Sequence, residues 1–115
     1  MIDWYKEIPF AITISDLDGN IIYMNDKSAE TFQKSGGKNL IGTKLEACHS
    51  ERSRAIINKM MTENCSNTYT ITKNSKKKII HQTPYYNDGK LAGLVEISII
   101  LPDDMPHYDR DAELK

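Results

Sequence analysis

The fold is decided by residues 10–29, which read FAITISDLDGNIIYMNDKSA. Apolar Phe10, Ile12 and Ile14 alternate with smaller or polar residues, which is the period-two pattern of a half-buried strand. Asp18-Gly19 follows, a pair that suits the positive φ values of a tight type I′ turn. Ile21–Met24 then gives a second strand that is apolar on both faces. We therefore predict a β-hairpin whose second strand is internal or covered.

The periodicity becomes helical at Asn25. Asn25 or Asp26 can cap a helix by accepting hydrogen bonds from the free N–H groups of its first turn. Ala29 and Phe32 lie three residues apart on one face of this helix, and Gly36-Gly37 is suited to end it. A longer helix is predicted after Ser50, ending near Asn64. Its apolar stripe is Ile56, Ile57, Met60 and Met61.

Strand patterns return after residue 67. Three segments are rich in β-prone residues and are separated by the turn signals Asn74-Ser75 and Asn87-Asp88-Gly89. They are residues 68–72, 77–86 and 91–101. In the last segment the odd-numbered residues from Leu91 to Leu101 are nearly all apolar, so we predict that they form the core face. Two strands, a helical crossover and three strands indicate an α+β fold, with one antiparallel sheet and helices on one face.

The composition excludes several classes of protein. The chain has 115 residues, a mass of 13.1 kDa and a net charge of −1 at pH 7, which predicts one domain. The near-zero charge provides no field to attract nucleic acid or an anionic membrane, and no apolar run is long enough for a membrane span. The N-terminus lacks a signal-peptide pattern and the two cysteines lack a disulfide framework. We expect a cytoplasmic domain with no nucleic-acid or membrane partner.

The ordered motifs resemble a PAS domain over residues 8–101. The resemblance rests on Pro9-Phe10-Ala11-Ile12, Asp16-x-Asp18-Gly19-x-Ile21-x-Tyr23-x-Asn25-x-x-Ala29, Leu40-Ile41-Gly42 and Asp88-Gly89…Gly93-x-x-Glu96-Ile97. It implies a five-stranded antiparallel sheet in the order 2-1-5-4-3, with helices forming a cup over one face. We accordingly divide the chain into an N-terminal cap (1–9), a PAS-like sensory domain (10–101) and an acidic tail or linker (102–115).

A narrower resemblance involves the pair Cys48-His49. Leu40-Ile41-Gly42-x-x-Leu45-x-x-Cys48-His49-x-x-x-Ser53 is similar to a bacterial subgroup of PAS domains that stand alone or precede output domains such as diguanylate cyclases. The ending Met105-Pro106-His107-Tyr108 is similar to that group too. The resemblance allows an output domain after residue 101.

The cup is the expected ligand site. We predict that its lining includes the set His49, Cys48, Ile57, Met60, Tyr69, His81 and Val95. His49 could offer an imidazole to haem iron or a polar ligand, or it could hydrogen-bond a carbonyl while Cys48 is a small buried hydrophobe. His81 could face the cup or be a half-exposed surface residue. No metal site is expected, since one adjacent Cys-His pair lacks metal-ligand spacing.

The resemblance implies a sensory module that binds an unknown small ligand and signals through dimer or linker contacts. One alternative is a ligand-free dimerisation scaffold, and another is a haem-binding redox or gas sensor through His49. A flavin is not expected, because the Asn-Cys-Arg-x-Leu-Gln segment of the flavin-binding branch is absent. We predict no catalytic residues, although the module could regulate a linked or partner enzyme such as a diguanylate cyclase or a kinase.

Two further segments carry partner hypotheses. Trp4, Tyr5 and Ile8 make the N-terminal cap an amphipathic turn or helix, which either builds a homodimer on the open sheet face or closes its own core. Lys73 and Lys76–Lys78 are interpreted as a solvated turn that protects a sheet edge from aggregation, rather than as a nucleic-acid site.

Overall fold

A computed structural model describes residues 2–44 and 51–113. Its five strands are β1 (Ala11–Asp16), β2 (Ile21–Met24), β3 (Asn67–Lys73), β4 (Lys76–Asn87) and β5 (Lys90–Ile100). Its α-helices are α1 (Asp26–Thr31), α2 (Glu51–Glu63) and α3 (Arg110–Glu113), and two short 3-10 helices, Gln33–Ser35 and Gly37–Leu40, follow α1. The five predicted strands and the long second helix are confirmed, while the Ser50 cap lies outside the described residues.

The strands form one antiparallel sheet in the order β2-β1-β5-β4-β3. This confirms the order that the family resemblance implied. β1 and β5 pair at the centre over six positions, from Ala11 opposite Ser98 to Asp16 opposite Gly93. The first and last strands along the chain are therefore neighbours in the sheet, and a displacement of β5 acts directly on β1.

The core lies between α2 and one face of the sheet, here called the helix face. Its buried members are Ile21, Met24, Ile57, Met60 and Leu94. The predicted core face of β5 is wrong, because Leu94 is only 3% exposed whereas Ile99 is 40% exposed. Beyond the bulge near Ala92, the odd-numbered residues Val95, Ile97 and Ile99 lie on the opposite side, the open face. That face is apolar as well, so counting apolar residues selected the wrong side of the strand.

The first hairpin closes through the three residues between Asp16 and Asn20, whose backbones are joined by an N–H···O bond of 2.9 Å, and not through the predicted type I′ turn. Gly19 has a φ of +83°, and its N–H donates to the carbonyl of Asp16 at 3.1 Å. The carboxylate of Asp16 accepts from the backbone N–H groups of Asp18 and Asn20, each at 2.9 Å. These hydrogen bonds, led by that of Asn20, hold the pKa of Asp16 below its usual value. By contrast, Asp88 and Gly89 both have positive φ, as a type I′ turn requires.

Helix α1 ends at Thr31, before the Gly36-Gly37 pair at which it was predicted to end. Its N-terminal cap is Asn25, as predicted. The Asn25 side chain is fully buried and accepts from the N–H of Ser28 at 3.0 Å. The same oxygen accepts from the N–H of Ile12 at 2.9 Å. Its amide nitrogen donates to the carbonyls of Tyr5 and Phe10 at 2.8 and 2.9 Å. One side chain thus fixes α1, β1 and the N-terminal segment together.

The two ends of the chain lie outside the helix-face core. The N-terminal segment forms a turn, in which Tyr5 packs edge-to-face on Tyr23 at a centroid distance of 5.5 Å. Trp4 packs on Tyr5 but is itself 60% exposed. After Leu101, whose N–H donates to the Lys77 carbonyl at 2.8 Å, the described residues are exposed. The division of the chain at residues 9 and 101 stays a prediction.

Candidate functional site

A cavity of about 180 Å³ lies between the end of α1 and the helix face of the sheet. Its apolar wall consists of Ala11, Phe32, Ile71 and Ile80. Its polar wall consists of Thr13, Thr31, Tyr69, Glu96 and Ser98, with Lys73 and Lys78 at one side. A cavity of this size holds one aromatic ring and a few further atoms, since an engineered cavity of about 150 Å³ binds benzene.

The cavity exists because small side chains occupy the central strands at this end of the sheet. Ala11 on β1 pairs with Ser98 on β5, and Ser98 pairs in turn with Ile80 on β4. Neither Ala11 nor Ser98 can fill the space beneath α1. At the other end of the helix face, by contrast, Ile57 and Met60 belong to the same core cluster as Leu94. A smaller cavity of about 90 Å³ lies there. The larger of these two spaces therefore lies beneath α1.

One hydroxyl pair fixes the helix above the cavity. The Thr13 and Ser28 hydroxyl groups are 2.5 Å apart, and both residues are buried. Thr13 is in the cavity wall and Ser28 is in α1. This contact sets the height of α1 over the sheet, and with it the depth of the cavity.

A ladder of polar side chains crosses the sheet and ends in the cavity. Asn67 donates through Nδ2 to Oε1 of Gln82 at 3.1 Å, and Gln82 donates through Nε2 to Oε1 of Glu96 at 2.8 Å. The three residues are directly opposite one another on β3, β4 and β5. Gln82 is 5% exposed, so its amide is held by these two partners. The ladder presents one carboxylate, that of Glu96, to the cavity.

Tyr69 contributes a phenol to the same wall. Burial raises the pKa of the Tyr69 phenol above its usual value, and the charge of Glu96 raises it further. The phenol is therefore neutral at physiological pH and can donate or accept a hydrogen bond. Because Tyr69 is 41% exposed, it forms part of the cavity mouth.

The mouth of the cavity adjoins a positively charged groove. This groove, of about 530 Å³, shares Thr31, Phe32, Lys73 and Lys78 with the cavity. Its charged residues are the lysines Lys27, Lys34, Lys73 and Lys78, with Glu30 as the one carboxylate. Burial lowers the pKa of Lys78, and the charges of Lys73 and Lys27 lower it further. The Lys78 ammonium is therefore repelled by those of Lys73 and Lys27.

The predicted lining residues separate into three groups. Tyr69 lines the cavity. Ile57 and Met60 are buried in the core cluster beneath α2, at 8% and 1% exposure, and do not line this cavity. Cys48 and His49 lie outside the described residues, so the roles predicted for them, including the haem alternative, stay predictions.

The prediction that His81 and Val95 line the cup is wrong. Both residues lie on the open face, because His81 alternates with Ile80 and Gln82 and Val95 with Leu94 and Glu96 along their strands. The ring Nδ1 of His81 is 2.7 Å from the hydroxyl of Thr68, its partner on β3. Successive side chains of a strand point to opposite faces of the sheet, so an error of one residue in the predicted alternation places a side chain on the wrong face.

The sequence analysis missed the charged residues of the site. Lys78 was assigned to a solvated turn, yet it is half-buried and lines the cavity. Glu96 was used only in the motif Gly93-x-x-Glu96-Ile97 of the family resemblance and was not assigned to the site. The available signal was strand parity, because Lys78, Ile80 and Gln82 alternate along β4 and share a face with Glu96.

Two further properties of the described residues bear on the kind of site. Residues 2–44 and 51–113 contain no cluster of three or more His, Cys, Asp or Glu side chains arranged to hold a metal ion.

Among the helices that the structure describes, none is both long and apolar enough to cross a membrane.

Comparison with known proteins identifies the fold. A family model described as "PAS fold" matches residues 5–95. Among solved structures, the C-terminal domain of a Streptococcus mutans protein has a TM-score of 0.70 at 15% identity, over 96% of this chain and 84% of that one. A PAS domain from Colwellia psychrerythraea has a TM-score of 0.64 at 19% identity, over 85% and 91%.

A third similar structure is the Aer2 receptor of Vibrio cholerae, described as a dual PAS-heme oxygen sensor. Its TM-score is 0.62 at 15% identity, over 81% of this chain and 95% of that one. Identities this low establish the fold alone. No curated protein sequence matches the chain at a significant level.

Proposed function

The chain belongs to the PAS family, and from this premise we propose that it is a sensory module that binds a small molecule in the cavity beneath α1. PAS domains are generally sensory rather than catalytic, and we assign no catalytic residue to this chain. The observation that carries the proposal is the combination of an apolar cavity with one ordered carboxylate, Glu96, at its wall. Ligand sites are concave and mostly apolar, with a few placed polar groups that fix orientation.

The route from the cavity to a partner follows β5. Glu96 and Ser98 line the cavity, and the same strand leads directly to Leu101 and the tail. Lys78 lies next to Lys77, whose carbonyl accepts the hydrogen bond from Leu101. If β5 and Lys78 have two conformations, a ligand that binds one of them more tightly raises the population of that conformation. An output domain or a dimer partner attached at either end of the module can respond to this change.

Native mass spectrometry of the purified protein tests ligand binding. A bound small molecule is expected in the wild type and is lost in Ser98→Phe, whose ring fills the cavity. The matched control is Ile99→Phe, one residue along β5 on the open face, where Ile99 is 40% exposed. If Ser98→Phe and Ile99→Phe retain equal occupancy, the cavity is not the binding site.

A ligand-free dimerisation scaffold is the second candidate, and the open face favours it. On the open face Ile99 is 40% exposed near the end of β5, and in the N-terminal segment Trp4 is 60% exposed. Exposed apolar side chains that form one contiguous patch are typical of interaction surfaces. A second copy of the chain would cover them. Sedimentation equilibrium of Ile99→Asp is expected to show dissociation, with Asn58→Asp on the exposed side of α2 as its control; an unchanged dimer would exclude this interface.

A further inference from the structure

The cavity and the groove beside it present opposite charges to anything that spans them. Glu96 lies on β5 opposite Gln82, and Lys78 lies four residues before Gln82 on β4. Four residues of strand correspond to about 13 Å between their Cα positions. Ile80 lies between Lys78 and Gln82 on the same face, with Ala11, Phe32 and Ile71 around the cavity. A molecule in this space therefore meets a carboxylate at one end, an apolar wall in its middle and lysines at the other end.

At the Glu96 end, one carboxylate oxygen is available to a donor on a ligand. Its Oε1 accepts from Gln82, and within residues 2–44 and 51–113 no hydrogen bond reaches Oε2. A carboxylate is an acceptor only, so the group that completes it must carry an N–H or an O–H. The Tyr69 phenol in the same wall is available as a further partner.

At the other end, the lysines are available to an anion. Lys73 and Lys78 line both the cavity and the groove, and Lys27 and Lys34 line the groove. Lys27 has an ion pair with Glu30 at 3.5 Å, and among the described residues neither Lys73 nor Lys78 has one. An anion here would replace the repulsion between Lys73 and Lys78 by attraction, and charge-assisted hydrogen bonds are stronger than neutral ones.

We propose that the ligand class of this cavity is a single-ring aromatic acid, bound with its carboxylate at Lys73 and Lys78 and a hydrogen-bond donor at its far end on Glu96. The ring fits a volume of about 180 Å³. This rests on the proposed ligand-binding function and adds the orientation and charge of the ligand.

Calorimetry with a matched set of probes tests the class. The reference probe is 4-hydroxyphenylacetate; phenylacetate lacks the donor, 4-hydroxyphenylacetamide lacks the charge, and tyramine reverses it. In the wild type we expect each of the first two changes to weaken binding about tenfold, the size of a lost hydrogen bond to a charged group. We expect tyramine to bind more weakly still.

Two variants test which end of the probe lies at Lys78 and which end lies at Glu96. In Lys78→Met the preference for the acid over its amide should shrink about tenfold, whereas Lys76→Met, in the exposed hairpin outside the cavity, should leave it unchanged. In Glu96→Gln the preference for the hydroxylated acid over phenylacetate should shrink while the preference for acid over amide remains. Such a crossed pattern distinguishes a placed ligand from general attraction of anions.

The possible failures are distinct. If the amide or tyramine binds the wild type as tightly as the acid, the aromatic-acid class is overturned while small-molecule binding stands. If the acid preference is equal in the wild type and Lys78→Met, the assigned orientation is overturned. If none of the four probes binds, the aromatic-acid class fails, and if native mass spectrometry also finds no bound molecule, the proposed ligand-binding function fails with it.

Discussion

The Nε2 amide of Gln82 donates a hydrogen bond of 2.8 Å to Oε1 of Glu96, across the β4–β5 pair. Because Gln82 is buried and its own carbonyl accepts from Asn67, the amide cannot turn away from Glu96. The carboxylate is thus held at the cavity wall before any ligand arrives. A site that is ordered in advance loses less conformational entropy on binding.

Removing the charge of Glu96 should change the ionisation of Tyr69. The Glu96 carboxylate raises the pKa of the Tyr69 phenol, second to burial. In Glu96→Gln that pKa should therefore fall toward the ordinary tyrosine value, although burial keeps it above. Phenolate absorbance during an alkaline titration measures it, taken as the difference between each protein and its Tyr69→Phe counterpart. Asp88→Asn in the distal hairpin is the control, and an unmoved Tyr69 midpoint in Glu96→Gln would contradict the contact.

Lys78 should be unfavourable for stability and favourable for anion binding. Its pKa is lowered in the folded state by burial first and then by Lys73 and Lys27. The unfolded chain therefore binds the proton more tightly, so the folded state is penalised at neutral pH and the penalty disappears as pH rises toward the ordinary lysine value. Lys78→Met should raise the free energy of unfolding at neutral pH by about 0.5 kcal/mol.

Denaturant titrations of Lys78→Met and Lys76→Met from neutral to alkaline pH measure this effect. The advantage of Lys78→Met over the wild type should narrow as pH rises, and Lys76→Met should show little change at any pH. A Lys78→Met variant that is less stable than the wild type at neutral pH would show that Lys78 already has a favourable partner.

Asn25 is expected to be the most sensitive polar position in the described part of the fold. Asn25→Ala leaves the N–H groups of Ile12 and Ser28 without their acceptor, so we expect a loss of about 3 kcal/mol or more in denaturant unfolding. Asn25→Asp keeps that acceptor but places a carboxylate against the Tyr5 and Phe10 carbonyls. The structural destabilisation in Asn25→Asp should therefore be concentrated in the N-terminal segment.

Hydrogen exchange separates the two Asn25 variants. In Asn25→Asp the amide of Asp26, which donates to the Lys6 carbonyl at 3.0 Å, should exchange faster while the β1–β5 amides stay protected. Equal protection throughout Asn25→Asp and the wild type would mean that the Asn25 amide does not hold the N-terminal segment.

Gly93 should not tolerate a side chain. A Cβ at this position would lie 2.0 Å from the backbone oxygen of Ser15 and 2.9 Å from Cε1 of Tyr85. The oxygen belongs to β1, so relief requires the central strand pair to separate, and we expect Gly93→Ala to lose about 3 kcal/mol. The control is Gly89→Ala, where the space is open and only its φ of +79° opposes a side chain, at about 1 kcal/mol. Thermal unfolding ranks the two variants, and the reverse order would contradict the close approach at Gly93.

Local signals in the sequence were sufficient to predict most of the secondary-structure elements. The turn at Asp88-Gly89 and the cap at Asn25 each act within a few residues, and each appears in the structure. The strand predicted from residues 10–15 also forms as β1, but Ala11, Ile12 and Thr13 are all buried, so it is covered on both faces and not half-buried. The first hairpin departed from its predicted type because the Asp16 side chain competes for the turn amides. That effect depends on one rotamer and is not determined by the Asp-Gly pair.

The site was harder to predict because it depends on which face of each strand meets the helices. In β5 both faces are rich in apolar residues, so composition could not choose between Leu94 and Val95. Once Leu94 is placed in the core, alternation along β5 puts Glu96 and Ser98 on the helix face. The register between β4 and β5 then puts His81 on the open face. One long-range fact, the position of α2 over Leu94, therefore decides most of the cavity wall.

The most direct test of ligand binding beneath α1 is methyl NMR of the wild type titrated with 4-hydroxyphenylacetate. Ala11, Ile71 and Ile80 provide methyl probes in the cavity wall, and Val95, Ile97 and Ile99 provide them on the open face. We predict that intermolecular NOEs and shift changes are confined to the first three. NOEs to the open-face methyls, or no response in either set at saturating probe, would contradict binding of this probe in the cavity.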